Sequence, residues 1–240
     1  MRDVPERMAE RLIVALDVPS VAEAQKLVDL LDGVVSFYKI GLGLFVKPGV
    51  DQLIDGLIKR RKNVFLDYKM FDIPETVRKG VESAKERGIK FVTVHGDREI
   101  IEAAVQGKGQ SKFLKIFTIT VLTSMNDNDL RAMGYRWTVK ELVEHRVKDA
   151  IEYGSDGIIA SAADKPNDIR RLVDNQRLLI ATPGIRPPGS SADDQKRIAT
   201  PAEAIQAGAD YIIVGRPIIA QPSPRQRAET IIRDMEQGAA

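Results

Sequence analysis

The sequence has no cysteine and only two histidines, His95 and His145. Without cysteine the chain cannot form disulfides, thiolate zinc sites or a cysteine nucleophile, and a histidine-rich metal site is not expected. The segment from Met1 to Glu10 carries scattered charges and lacks the apolar centre of a signal peptide. No later segment approaches the roughly 20 apolar residues of a membrane span. We therefore expect a soluble, cytoplasmic protein.

An excess of charge of one sign is also missing. Lysine and arginine number 36 and aspartate and glutamate 34, which gives a formal net charge of +2. Nucleic-acid-binding domains usually carry a strongly basic surface, so this balance predicts no nucleic-acid partner. An anionic small molecule would have to be held by a few placed groups.

Apolar runs rich in β-branched residues recur along the 240 residues. Most are continuous and do not alternate with polar residues, as expected for parallel strands covered on both faces. Amphipathic helical patterns separate them. The runs that predict strands are 12–16, 37–40, 64–66, 91–94, 113–122, 157–160, 178–181 and 211–214.

Eight strands alternating with helices favour a closed (β/α)8 barrel over a doubly wound sheet. The turn after the first strand, Asp17-Val-Pro-Ser20, lacks the glycine cluster of a dinucleotide-binding sheet. No linker or shift in composition divides the chain, which predicts one α/β domain, a TIM barrel spanning 1–240. Two loops stand out after strands: 123–135, a long loop or short extra helix, and the polar loop 187–197.

Four charged residues interrupt the apolar strands near their ends: Asp17, Lys39, Asp67 and Lys69. Asp67 and Lys69 are two residues apart, which places both on one face of a regular strand. If that face is the barrel interior, the four must pair, because one buried alone would cost several kcal/mol. Such an array is either a salt-bridge network that closes the barrel or a catalytic site. Barrel catalytic residues cluster at these strand ends, which favours function.

The loops after strands seven and eight predict a phosphate site, since barrels frequently bind phosphate there. They begin Thr182-Pro-Gly-Ile-Arg186 and Gly215-Arg216. Glycine lets backbone N–H groups approach a phosphate, and an arginine fork can grip its oxygens. The alternative is an arginine on the solvated rim. Gln195 and Ser190 could add donors or be plain solvated residues.

Three further polar residues have open roles. Asp72 lies two residues before Pro74, so it could help to start the helix 74–87 or act in the site. His95 ends strand four and is a candidate for the wall of the site. His145 lies in the predicted helix 139–153 and is expected at the surface.

The segment Asp67-x-Lys69-x-x-Asp72-Ile-Pro74 resembles the signature of orotidine 5'-phosphate decarboxylases. The resemblance spans nearly the whole chain, because further segments match the family in order. They are Leu16-Asp17, Lys39-Ile-Gly41, Val94-His95-Gly96, Leu122-Thr123-Ser124, Thr182-Pro-Gly-Ile-Arg186 and Val214-Gly-Arg216.

This resemblance implies conversion of orotidine monophosphate to uridine monophosphate and carbon dioxide in pyrimidine synthesis, without metal or cofactor. It implies that Lys69 donates a proton to C6, that Asp67 lies beside the substrate carboxylate, and that Lys39 and Asp17 bind ribose hydroxyls. Catalytic Asp72, with Ile73 and Thr76, would reach the neighbouring site of a homodimer. The remaining implied substrate contacts are Thr123 for the pyrimidine, with Ser124 as an alternative, Pro183, and Arg186, Gln195, Gly215 and Arg216 for the phosphate.

Two other functions stay open. A magnesium-dependent sugar-phosphate decarboxylase or synthase of the same barrel group would share Asp67-x-Lys69, and Asp17 with Asp67 could then contribute to a metal site. Lys39 argues against this, because it puts a positive charge where the cation would need ligands. A catalytically silent nucleotide-binding barrel should show a broken charge array, whereas all four positions are intact here.

Overall fold

The computed structural model describes residues 3–188 and 197–239. Over these residues eight strands close into a barrel in chain order, each parallel to both of its neighbours. The expected (β/α)8 barrel is confirmed. The strands are β1 (Leu12–Ala15), β2 (Phe37–Gly41), β3 (Asn63–Met70), β4 (Phe91–Val94), β5 (Lys115–Ile119), β6 (Gly157–Ile159), β7 (Leu179–Thr182) and β8 (Tyr211–Val214).

Helices follow the strands and cover the outside of the barrel. The extra element expected after the fifth strand is a short helix, Asp127–Ala132. Within the two described ranges, no helix is long and apolar enough to cross a membrane. The helices are α1 (Val21–Leu30), α2 (Leu42–Phe45), α3 (Val50–Lys59), α4 (Pro74–Glu86), α5 (Arg98–Lys108), α6 (Asp127–Ala132), α7 (Val139–Glu152), α8 (Pro166–Leu172), α9 (Pro201–Gln206), α10 (Arg216–Ile219) and α11 (Pro224–Ala239), with 3-10 turns at Met8–Arg11 and Ala162–Asp164.

Buried aromatic rings form a layer inside the barrel. The centroid of Phe91 lies 4.8 Å from that of Phe37, 4.5 Å from that of Phe117 and 5.1 Å from that of Tyr211. Phe65 completes the group. Close-packed rings of this size exclude water from the barrel interior.

The aromatic layer explains where the polar residues lie. Side chains two residues apart on a strand point to the same face, so the residue two positions after each inward ring also points inward. Lys39 follows Phe37 in this way, Asp67 follows Phe65, and Thr93 follows Phe91. The polar residues therefore lie one step closer to the C-terminal mouth than the apolar layer on which they rest.

The fifth strand is shorter than the apolar run 113–122 predicts, since β5 covers only Lys115–Ile119. Phe113 is exposed before the strand and packs under the ammonium of Lys90, 4.5 Å from its ring centroid. Leu122 is exposed after the strand, beside the cavity described below. The apolar run is longer than the strand because Phe113 and Leu122 lie outside the sheet, one against Lys90 and the other at the cavity.

Candidate active site

The structure brings Asp17, Lys39, Asp67 and Lys69 together at the mouth of the barrel. Lys39 Nζ lies 3.2 Å from Asp17 Oδ1 and 3.3 Å from Asp67 Oδ2. Lys69 Nζ lies 2.8 Å from Asp67 Oδ1. The charges thus alternate in sign along one chain of contacts. Lys39 and Asp67 in its middle are largely buried, with side-chain exposures of 10% and 14%, and each is paired as a buried charge must be, whereas Asp17 at one end is 55% exposed.

Asp67 is the central carboxylate of this array. Its burial alone would raise its pKa, but the ammonium groups of Lys39 and Lys69 and hydrogen bonds from Lys69 and Thr93 outweigh burial and hold the pKa below its ordinary value. Asp67 is therefore ionised at neutral pH. The ammonium of Lys69 donates a hydrogen bond to this ionised carboxylate.

Strand β3 is irregular at the array. Leu66 pairs with Val92 and Met70 pairs with Val94, so the intervening stretch of β3 bulges out of register with β4. Lys69 has a φ of 49°, in the left-handed region that non-glycine residues rarely adopt. The regular two-residue period of a strand therefore does not by itself explain why the side chains of Lys69 and Asp67 are in contact. Backbone strain of this kind concentrates at functional sites, where the surroundings must enforce it.

Thr93 of β4 holds the bulge in place, a role that no pattern in the sequence had indicated. Its hydroxyl accepts a hydrogen bond from the backbone N–H of Lys69 at 2.9 Å and donates one to Asp67 Oδ1 at 3.0 Å. Thr93 is fully buried. A polar residue two positions after an inward phenylalanine was the available signal, but threonine is too common in strands to single it out.

A cavity of about 460 Å³ opens above the array. This volume falls in the range of small-molecule sites. Charged groups line it together with apolar side chains from the strand ends. The apolar members are Ala15, Phe65, Ile119, Val121, Leu122, Ile159, Ala160 and Ile213, and the others are Asp17, Lys39, Asp67, Lys69, Thr123, Ser124, Ser161, Pro183, Gly184, Arg186, Gly215 and Arg216.

The residues expected to hold phosphate line the same cavity. Arg186 is buried, its backbone N–H donates to the carbonyl of Ala199 at 2.8 Å, and its guanidinium donates to the carbonyl of Ile185 at 3.0 Å. Gly215 and Arg216 follow β8, with Arg216 starting α10. Gln195 and Ser190 lie outside the described residues.

Asp72 and Ile73 are exposed on the segment that leads into α4, and Thr76 is exposed in the first turn of that helix. They are not among the described residues that line the cavity of their own chain. Asp72 Oδ1 accepts the backbone N–H of Ile73 at 2.7 Å, but Ile73 is the N-cap of α4 and no side chain caps this helix. Asp72 is therefore not the side-chain N-cap of α4, and the two roles considered for it, in starting the helix and in the site, both stay predictions.

The two histidines take different positions. His95 is paired with Asp97 and packs against Phe71, with centroids 4.6 Å apart. It is not among the described residues that line the larger cavity, but it lines a smaller one of about 140 Å³ that also contacts Lys69, so its place in the wall of the site stays a prediction. His145 lies on α7 with its side chain half exposed, 3.3 Å from Asp149, as expected for a surface residue.

A family model described as "Orotidine 5'-phosphate decarboxylase / HUMPS family" matches residues 10–231. The chain belongs to this orotidine 5'-phosphate decarboxylase family. An orotidine 5'-phosphate decarboxylase of Nitrobacter winogradskyi is 50% identical over 227 residues, which cover 94% of this chain and 92% of the relative. The Methylococcus capsulatus protein of the same name is 46% identical and covers 96% and 95%.

Solved structures agree with this placement in the orotidine 5'-phosphate decarboxylase family. The crystal structure of orotidine 5'-phosphate decarboxylase from Lactobacillus acidophilus has a TM-score of 0.82 and 32% identity, and covers 94% of this chain and 99% of that one. An uncharacterized conserved protein from Geobacillus kaustophilus superimposes with a TM-score of 0.79 at 27% identity, covering 93% and 99%.

Proposed function

We propose that this protein is an orotidine 5'-monophosphate decarboxylase that forms uridine 5'-monophosphate and carbon dioxide in pyrimidine biosynthesis. The observation that carries the proposal is the alternating Asp17–Lys39–Asp67–Lys69 array, which lines a cavity of suitable size. Relatives at 46–50% identity bear the name of this activity. A cytoplasmic location is part of the same proposal.

The chemistry needs a cation near the carbon that loses its carboxylate. When the bond from C6 to the carboxylate breaks, carbon dioxide leaves and the electron pair stays on C6. The ammonium of Lys69 then donates a proton to C6, a C–H bond forms, and the neutral amine regains a proton from solvent. A preorganised ammonium stabilises this developing carbanion more than the bound substrate.

Asp67 and Lys39 support Lys69 in this mechanism. Asp67 fixes the Lys69 ammonium at 2.8 Å and would lie beside the reacting carboxylate. Lys39 and Asp17, at the other end of the array, are placed to bind ribose hydroxyls. Because Asp67 stays ionised through its two cationic neighbours, its charge is available to orient Lys69 at neutral pH.

The other end of the substrate is assigned to the loops after β5, β7 and β8. Arg186, Gly215 and Arg216 would hold the phosphate, with Gln195 as a further donor, and Pro183 would contact the nucleotide between them. Thr123 or Ser124 would contact the pyrimidine, and both line the cavity. Phosphate contacts far from C6 can contribute binding energy to the chemical step.

A homodimer completes the proposed site. Asp72, Ile73 and Thr76 do not line the cavity of their own chain, and Phe71 and Ile73 are each 67% exposed. Large apolar side chains exposed side by side favour a protein interface. The partner's copy of this segment would supply Asp72 to the site.

Chelation separates this mechanism from a magnesium-dependent one. The ammonium of Lys39 lies between Asp17 and Asp67, where it occupies the position a cation would need. We therefore expect treatment with EDTA to leave turnover of orotidine monophosphate unchanged, measured by the change in ultraviolet absorbance. Loss of turnover on chelation, with recovery on adding magnesium, would contradict the metal-free mechanism.

A further inference from the structure

Arg197 joins three loops at the mouth of the barrel. Its Nη1 lies 2.5 Å from Asp164 Oδ1, in the 3-10 turn after β6. Its Nη2 donates to the backbone carbonyl of Val121 at 3.0 Å and is 3.4 Å from that of Leu122, in the loop after β5. Arg197 itself belongs to the loop after β7. One residue thus links the loops that follow three consecutive strands, β5, β6 and β7.

The Arg197–Asp164 pair is largely buried, with side-chain exposures of 14% and 10%. The second carboxylate oxygen of Asp164 accepts the backbone N–H of Ser161 at 3.0 Å. Burial raises the pKa of Asp164 in spite of the opposing charge of Arg197. Such a pair adds little net stability compared with an apolar replacement, so its value lies in the geometry that it fixes.

The segment held in this way is the backbone of residues 120–124. The carbonyl of Thr120 accepts a hydrogen bond from Arg146 Nη1 at 2.5 Å, and the next two carbonyls face Arg197. Arginine side chains therefore hold this stretch of backbone just beyond the end of β5. Thr123 and Ser124, which line the cavity, follow directly.

We propose that Arg197 and Asp164 are positioning residues that set the base-recognition loop, residues 121–124, against the bound pyrimidine; this inference rests on the proposed function. Neither side chain is among the described residues that line the cavity. They act through Thr123 and Ser124. Removing Arg197 should weaken contacts to the base and leave contacts to the ribose and phosphate in place.

Two ligands distinguish this role from general damage. Uridine monophosphate carries base, ribose and phosphate, whereas ribose 5-phosphate lacks the base. We expect Arg197→Ala to weaken binding of uridine monophosphate by about tenfold to a hundredfold, in line with the cost of a misplaced positioning group. Binding of ribose 5-phosphate, measured by the same calorimetric titration, should stay unchanged.

Matched variants control for folding and for loss of charge. Arg197→Lys keeps a cation for Asp164 but cannot also reach the carbonyls of Val121 and Leu122, so it should restore part of the affinity. Arg171→Ala removes an exposed arginine paired with Asp168 and should leave both affinities unchanged. Thermal unfolding shows whether each variant is folded. If Arg197→Ala does not fold, Arg197→Lys takes its place, and it should bind uridine monophosphate more weakly than the unmodified protein while binding ribose 5-phosphate equally well.

The positioning role is refuted if Arg197→Ala weakens the binding of both ligands equally, or if it weakens the binding of neither. Turnover of orotidine monophosphate by the unmodified protein is measured separately. A protein that binds uridine monophosphate and shows the ligand contrast without turnover would refute the proposed reaction and keep the positioning role.

Discussion

Replacing Lys69 with alanine should lower turnover of orotidine monophosphate by at least about 10⁴-fold, because in the proposed mechanism this one side chain supplies both the proton and the nearest positive charge to C6. The ammonium of Lys69 lies 2.8 Å from Asp67, and the backbone of Lys69 is in the left-handed region. Alanine removes the ammonium, and in the proposed binding mode it would leave Asp67 facing the substrate carboxylate without it. Single-turnover kinetics with saturating substrate would measure the loss of the chemical step directly.

The barrel should remain folded in this variant. The Lys69 side chain is 36% exposed, and Asp67 keeps its contacts with Lys39 and Thr93. Lys79→Ala is the matched control, because Lys79 is an exposed lysine paired with Glu75 on α4 and should keep full activity. Retained turnover in Lys69→Ala, with a native circular dichroism spectrum, would refute the assignment of Lys69 as proton donor.

Mixing two inactive variants should restore activity if Asp72 serves the neighbouring site. Lys69→Ala and Asp72→Ala are each expected to be nearly inactive as homodimers. In a mixed dimer, one site takes Lys69→Ala from its own chain and Asp72→Ala from the partner, so it carries both substitutions. The other site carries neither. Random reassociation of equal amounts should therefore restore about a quarter of the activity, as two-fold symmetry requires.

Three outcomes would count against the shared site. No recovery on mixing, with exchange of subunits shown by native mass spectrometry, would place Asp72 in its own chain's site or outside the chemistry. Full activity of Asp72→Ala alone would remove its catalytic role. A monomeric protein at assay concentration would refute the proposed dimer.

Strand order and the position of the charge array could be predicted from sequence. Parallel strands covered on both faces need continuous apolar runs, so Lys39 and Asp67 stood out as interruptions. Their inward direction follows from the two-residue period, since Phe37 and Phe65 precede them on the same face. Local periodicity was sufficient because both residues keep a regular register between β2 and β3, where Lys39 pairs with Phe65 and Asp67 pairs with Gly41.

Other features depend on contacts that no local pattern encodes. The left-handed backbone of Lys69 is hydrogen-bonded to the hydroxyl of Thr93 on the next strand. Arg197 reaches Val121, 76 residues away in the chain, and only the closed barrel makes them neighbours. The role proposed for Asp72 requires a second chain, so the sequence around Asp72 alone left two interpretations open.

The most direct test of the central claim is whether the purified protein converts orotidine monophosphate to uridine monophosphate and carbon dioxide in equal amounts. Ultraviolet absorbance follows the substrate, and trapped carbon dioxide confirms the bond that breaks. We expect complete conversion by the unmodified protein. If the protein bound uridine monophosphate but left orotidine monophosphate unchanged, it would be a silent nucleotide-binding barrel, and the catalytic role given to the charge array would be wrong.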